Sequence, residues 1–451
     1  MSNGSYSVLL ENKIKSFKKV ISVDPDKSIS IRSFLIGSIS QGVSKISNAL
    51  ESDDVFSTIN SLKKLNCKIR RIGEKKYLIY GKGLGSYYAK KNTKLDLGNS
   101  GTGLRLLSSI ISTNPNIEVI LTGDSSLKKR NMSKLIFLMN EFGAEFFPKN
   151  KFVLPLKIVS SDMPVGVKYR AGVSSQIKSA CMLAGLNSFG QTTIIEKERS
   201  RDHTENMLSN SSNVIKIKNI KNKRVIKITG KSYLEPMNIS IPGDPSSSAF
   251  FAALTLLNNN SSLKITNVGL NPTRLGFFQI VKKSGGKIKF KNIKGKNKEP
   301  FGDIYIKSSK LKPLRVPKKF YVKCVDEFPI MFVIASMIPG VSVLEVDSEN
   351  LKNKESDRIL EMKKILKQIG IKCIVKNNKI KIFGNPKVKN LNKRIKVPNL
   401  HDHRISMCSF VLGLLGFKTY IKSFNMQVNS SAPNFLKIAR SLGAKYAIKK
   451  N

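Results

Sequence analysis

The sequence predicts an α/β protein of two lobes with three similar units in each, on three observations. A helix that stops at Gly or Asn, followed by a lysine-rich strand, a polar turn and a second strand, recurs along the chain. Its stops fall at Asn66, Gly143, Asn210, Gly285, Gly370 and Gly443, 67 to 85 residues apart. Between them lie segments such as TGLRLLSSIIS and VSSQIKSACMLAGL, apolar enough to be buried helices. Near half-length, SIPGDPSSSAFFAALTLL punctuates a strand-to-helix transition with Pro242, Gly243 and Pro245, and marks the link between lobes. A chain of 451 residues, 40% of them apolar, has core enough for two such bodies.

In chain order, VDPDKSISIRSFLIGS opens a helix with Lys27, Ser28 and Ser30, and Arg32 lies a turn further on. LKKLNCKIRRIGEKKYLIYGKG then reads as a helix end and hairpin, with a left-handed cap at the stop and an Asn or Gly turn. LDLGNSGTGLRLL places Asn99, Ser100 and Gly101 ahead of a helix that carries Arg105. Small residues at a helix N-terminus let backbone N–H groups approach an anion, although Gly-rich turns are more often only turns. GDSSLKKRNM brings Arg130 into a turn, AGVSSQIKSA offers Ser174, Ser175 and Gln176, and ERSRDHTENML puts Arg201 before a helix. In the second half, KCVDEFPIMF reads as a strand end bearing Asp326 and Glu327, where a carboxylate can act as base. NLKNKESDRIL supplies Lys354, Glu355 and Arg358; NLHDHRISMC supplies Asp402, His403 and Arg404.

Taken singly, each motif has a plainer reading: an ordinary cap, a surface Glu355–Arg358 pair, a satisfied core histidine. Taken together, basic, hydroxyl and carboxylate residues recur at the strand-to-helix ends of both halves. Such an arrangement suits small substrates bearing several negative charges.

Composition bounds the alternatives. The net charge of +49 comes from lysines spread over the whole length. VIKIKNIKNKRVIKITGK alternates Ile or Val with Lys, as half-buried strands with a solvated, edge-protecting face do. Few aromatics accompany the basic runs, so no nucleic-acid partner is expected. The five cysteines form no CxxC pair, and neither a metal site nor a disulfide framework is expected. No apolar run reaches the roughly 18–20 residues of a membrane span, and MSNGSYSVLLENKIKSF lacks the pattern of a cleaved leader. A cytoplasmic chain without a membrane partner is expected.

Nine segments, DKSISIR, GNSGTGLRLL, GDSSLKKR, SSQIKSACMLAGL, SRDHTENML, PGDPSSSAFF, DEFPIM, KESDR and DHRISM, give the chain its likeness to a known family. In this order they resemble the enolpyruvyl transferases over essentially the full length, and within them the branch acting on 3-phosphoshikimate. The resemblance implies two lobes, each an inside-out α/β barrel of three βαβαββ units, one spanning 25–244 and the other 1–24 with 245–451. It also implies an active site in the cleft between lobes that close on substrate. The implied reaction moves the enolpyruvyl group of phosphoenolpyruvate to the 5-hydroxyl of 3-phosphoshikimate without cofactor or metal, in a monomer.

The same resemblance assigns residues. Lys27, Ser28, Arg32, Ser174, Ser175, Gln176, Arg201, Asp326 and Lys354 would bind 3-phosphoshikimate. Lys27, Asn99, Gly101, Arg130, Gln176, Arg358 and Arg404 would bind phosphoenolpyruvate. Asp326 would be the base, Glu355 and Lys27 would carry protons, and Arg105 and His403 would support the site. Departures matter too: Pro25 and Ile31 alter the first motif, and Ser430 stands where some members carry a lysine. Together with SRDHTE and GDPSSSAFF, the last change resembles the second, glyphosate-tolerant class. A sister enzyme acting on UDP-N-acetylglucosamine uses a reactive loop cysteine, and the corresponding stretch Thr113–Arg130 has none.

Overall fold

The computed structural model describes residues 4–295, 299–388 and 394–451. The chain divides into two compact units, one of residues 25–241 and the other of residues 1–24 with 242–451. Each has its own hydrophobic core.

Among the described residues there are six four-stranded sheets, three in each unit, all with one pairing scheme. A parallel pair is extended by two antiparallel strands, the last two forming a hairpin in most sheets. In the sheet of Lys168–Ala171, Gln191–Glu196, Lys223–Thr229 and Ile215–Ile220, for example, the first pair is parallel and the others antiparallel. The outermost strand is the lysine-coated one: Ile215–Ile220 buries only its first residue. In the other unit, Tyr6–Leu10 sits between Thr419–Ile421 and Ala447–Lys450, so the two ends of the chain share a sheet.

The helices between strands are the buried layer. Lys27–Ile39, Gly101–Ser112 and Ser175–Leu186 are buried on nearly every side and lie in one core. Pro245–Leu257, Phe328–Ser336 and His403–Leu414 are the corresponding helices of the second unit. Serines keep them thin enough to pack closely. Their buried hydroxyls donate back to carbonyls one turn earlier, as Ser33 does to Ile29 at 2.9 Å and Ser108 to Leu104 at 2.6 Å.

Five of the six predicted helix stops adopt the left-handed conformation: Asn66, Gly143, Gly285, Gly370 and Gly443. Asn210 does not; its six-residue helix, His203–Leu208, ends in right-handed Ser209 and the turn runs on. Two hairpins also turn on residues other than Asn or Gly, with Lys75 and Lys221 at φ of 55° and 51°. A lysine there bears a strain that the flanking ladder overrides.

Candidate active site

The starts of the buried helices carry the chemistry. Five of the six open on a short polar side chain that accepts a first-turn N–H: Asp26 from Ile29, Ser100 from Gly103, Ser174 from Ile177, Asp244 from Ser246, and Asp402 from Arg404; Phe328–Ser336, preceded by Glu327, has no such cap. Capping fixes where the next few side chains emerge, and these are the predicted Lys27, Gly101, Ser175, Gln176 and Arg404.

In the unit of residues 25–241, Lys27 Nζ is paired with Asp54 at 2.8 Å. Arg32 is buried, and its guanidinium donates to Thr204 Oγ1 at 2.9 Å, Ser179 Oγ at 3.1 Å and the Ser28 carbonyl at 3.1 Å. It thereby joins its own helix to two others. Gln176 is held at both ends of its amide: Arg105 donates to Oε1 at 2.7 Å, and Nε2 donates to Thr102 Oγ1 at 2.9 Å. Arg105 also donates to the Gly101 carbonyl at 3.3 Å. Arg130 donates to Asn99 Oδ1. A Cβ on residue 101 would lie 2.6 Å from Arg130 Nη1 and 3.0 Å from Arg105 Nη1. Glycine therefore lets two guanidinium groups lie against one turn of backbone. Ser28, Ser174, Ser175 and Arg201 are half-buried at helix starts, Arg201 just before Asp202.

In the other unit, Arg358 is the hub. It is 2% exposed and reaches three carboxylates: Asp402 at 2.9 Å, Asp326 at 3.3 Å and Glu355 at 2.6 Å. Burial works against its charge, but Asp402, Glu355 and Asp326 outweigh that and hold the guanidinium more firmly protonated than usual. The Glu355–Arg358 contact is thus part of a buried network and not a surface pair. Asp402 has no exposure and accepts from Ser356 Oγ at 3.0 Å and Arg404 N–H at 2.9 Å besides Arg358. Arg404 differs from Arg358 in one respect. It is 5% exposed, its Nε is buried without a hydrogen bond, and among the described residues its side chain forms no ion pair. His403 is buried beside it and Lys354 is half-buried.

Asp326 and Glu327 do not end a strand. They form a single 3-10 turn, Val325–Glu327, between the short helix Tyr321–Cys324 and Phe328–Ser336. Pro329 is the reason: proline is accommodated in a first helical turn, so the residues ahead of it turn into the helix rather than extend. Glu327 is buried and accepts from Ser246, while Asp326 is left half-buried on Arg358.

Sequence reasoning missed Asp54, Thr102, Thr204 and Ser179. All four sit inside helices or first turns with the local look of caps and core hydroxyls. Their partners are 27 to 172 residues away in the chain, and nothing in the local pattern announces them.

No helix among the described residues is long and apolar enough to cross a membrane, and no cluster of metal-ligating side chains occurs there. Residues 11–438 match the family described as EPSP synthase (3-phosphoshikimate 1-carboxyvinyltransferase). The chain is similar to the 3-phosphoshikimate 1-carboxyvinyltransferase of Zymomonas mobilis, 35% identical over 97% of each chain. It is also similar to that of Ruthia magnifica, 38% identical over 95% of this chain and 96% of the other. Among solved structures it resembles EPSP synthase from Acinetobacter baumannii, with a TM-score of 0.82 and 32% identity over 99% of this chain and 100% of that one. The enolpyruvyl transferase NikO from Streptomyces tendae shares the fold alone, at TM-score 0.75 and 12% identity over 99% of this chain and 100% of that one. A family match over nearly the whole chain, with relatives above 30% identity at full coverage, makes this protein a member of the EPSP synthase family.

Proposed function

We propose that this chain transfers the enolpyruvyl group of phosphoenolpyruvate to the 5-hydroxyl of 3-phosphoshikimate, releasing phosphate. One observation carries the reading beyond family membership: Arg404 is buried with no carboxylate partner among the described residues, whereas Arg358 has three. A buried cation without a counter-charge is costly to hold, and an anionic substrate is the partner that repays it.

In this reading Arg358, Arg404, Arg130, Asn99, Gly101, Gln176 and Lys27 hold phosphoenolpyruvate. Ser174, Ser175, Gln176, Arg201, Ser28, Arg32, Lys27 and Lys354 hold 3-phosphoshikimate. Asp326 takes the proton from the 5-hydroxyl as its oxygen bonds to C2 of phosphoenolpyruvate, and Glu355 or Lys27 delivers a proton to C3. The tetrahedral intermediate then loses that C3 proton and expels phosphate, restoring the double bond. Fixed cations neutralise two anions that otherwise repel, and positioning supplies much of the rate, up to roughly 7–11 kcal/mol of the barrier.

Two lobes, each an inside-out α/β barrel of three units, are the architecture this reading adopts. Six sheets with one pairing scheme around buried helices support it. The lysine-coated outer strands support reading the charge as solvation in a monomer rather than a nucleic-acid surface. Ser430, half a turn beyond the helix Phe424–Val428 and bonded to the Gln427 carbonyl, supports placement in the second, glyphosate-tolerant class. Inhibition at glyphosate concentrations comparable to the phosphoenolpyruvate KM would remove that placement. The function itself is tested by phosphate release with phosphoenolpyruvate and either 3-phosphoshikimate or UDP-N-acetylglucosamine. Release that requires the shikimate ester is the expected result; release with only the sugar nucleotide, or with neither, overturns the proposal.

A further inference from the structure

One residue before Arg201 the chain is anchored in a buried ionic cluster that the chemistry above does not use. Lys178 is 0% exposed and sits 2.8 Å from both Glu196 and Glu205. Arg224 closes the group at 3.4 Å from Glu196 and 3.2 Å from Glu205. Two cations and two carboxylates cancel, but such groups are often no more stabilising than apolar side chains of the same volume. The arrangement around them indicates another role.

The four side chains come from four elements: the helix Ser175–Leu186, the end of the strand Gln191–Glu196, the helix His203–Leu208 and the strand Lys223–Thr229. Residues 197–202, which include Arg201, bridge the second and third of these. Ser200 is tied to the cluster by both its N–H and its hydroxyl, each donating to Glu196 Oε1 at 2.7 Å, and its carbonyl accepts from Lys178 at 3.5 Å. On the other side, Asp202 is paired with Arg199 at 3.0 Å. Lys178 lies two residues after Gln176 on the helix that Ser174 caps.

We propose that Glu196, neutralised by Lys178 and Arg224, is a positioning residue that fixes Arg201 relative to Ser174, Ser175 and Gln176 and so sets affinity for the 3-phosphate of the shikimate substrate. The inference rests on the proposed function, since it takes Arg201 as a ligand of that phosphate. A carboxylate receiving two bonds from Ser200 can hold the neighbouring residue to within a fraction of an ångström, and a bidentate phosphate contact needs that precision.

Glu196→Gln keeps the size and one acceptor but removes the charge that Lys178 and Arg224 balance; Ser200→Ala is the milder variant should Glu196→Gln fail to fold. The readout is the binding ratio of 3-phosphoshikimate to shikimate, together with the KM of each substrate and kcat. The expected result is a fall of about tenfold in that ratio for Glu196→Gln and about threefold for Ser200→Ala, with phosphoenolpyruvate KM and kcat within twofold of wild type. An unchanged ratio, or equal losses for phosphorylated and unphosphorylated ligand, overturns the proposal. Wild-type protein that shows no preference for 3-phosphoshikimate instead overturns the functional reading on which it stands, so the two failures are distinguishable.

Discussion

Replacing Arg404 with methionine is expected to stabilise the ligand-free protein while weakening its use of phosphoenolpyruvate. The residue is 5% exposed, its buried Nε has no hydrogen bond, and no carboxylate among the described residues pairs with its side chain. The effective cost of burying one uncompensated charge is several kcal/mol, and methionine fills a similar volume without it. Allowing for imperfect packing, a gain of about 1–3 kcal/mol is expected, which in a unit of this size raises Tm by about 2–12 °C. Loss of a charge-assisted contact to the substrate costs about 1.5–3 kcal/mol, which corresponds to roughly 10- to 150-fold in kcat/KM for phosphoenolpyruvate. Arg358→Met is the control with opposite sign, because it strands Asp402, Asp326 and Glu355 without their cation. Breaking such a buried network costs about 3–5 kcal/mol. Thermal unfolding without ligand, beside steady-state phosphate release, measures both. If Arg404→Met lowers Tm as much as Arg358→Met does, the argument that Arg404 is held uncompensated for a substrate is refuted.

Asp326→Ala is expected to lower kcat by a factor of about 10²–10⁴, the usual reach of a positioned base, with far smaller changes in substrate binding; a large loss of affinity at unchanged turnover contradicts its role. Glu51 is partly buried, which raises its pKa, but hydrogen bonds from Arg71, Tyr77 and the Lys75 N–H win and hold it below its ordinary 4.5. A depressed carboxylate contributes stability above pH 4.5 and loses it as pH falls through its folded value. Wild type and Glu51→Gln should therefore differ by about 0.5–1 kcal/mol at pH 6 and converge as pH falls through the folded value; a difference independent of pH argues against the assignment. Burial pushes the Cys67 thiol up to about 12 and Cys373 up to about 11. Native protein should resist alkylation at pH 7.5 at both positions, and rapid labelling of either one contradicts the burial described.

What the sequence discloses here is what local chemistry determines. Helix starts are legible because a cap and a first turn are contiguous: Asp26 before Lys27, Ser174 before Ser175, Asp402 before His403. Stops are legible where a left-handed residue is needed, and fail at Asn210, where a six-residue helix ends without one. Asp326 reads as a strand end in the sequence, whereas Pro329 draws the segment into a helix. Pairings are another matter. Lys27 with Asp54, Arg358 with Asp402 and Arg32 with Thr204 join residues 27, 44 and 172 positions apart, and only the folded chain brings them together. The identity of a charged residue is thus visible in the sequence, but whether its charge is already answered is not. Arg358 and Arg404 look alike in the motifs and have opposite surroundings.

The sheet that joins Tyr6–Leu10 to distant strands has a consequence for synthesis. Its partners, Thr419–Ile421 and Ala447–Lys450, are among the late elements of the sequence. Residues 25–241 are contiguous and can condense while the ribosome is still translating the second half. The first strand must wait through nearly all of the chain between them, roughly 20–90 s at 5–20 residues per second, with its apolar Val8, Leu9 and Leu10 uncovered. Chaperone demand during production should therefore concentrate on this amino-terminal strand, and a permuted chain that begins at Pro25 and joins the old ends would remove the wait.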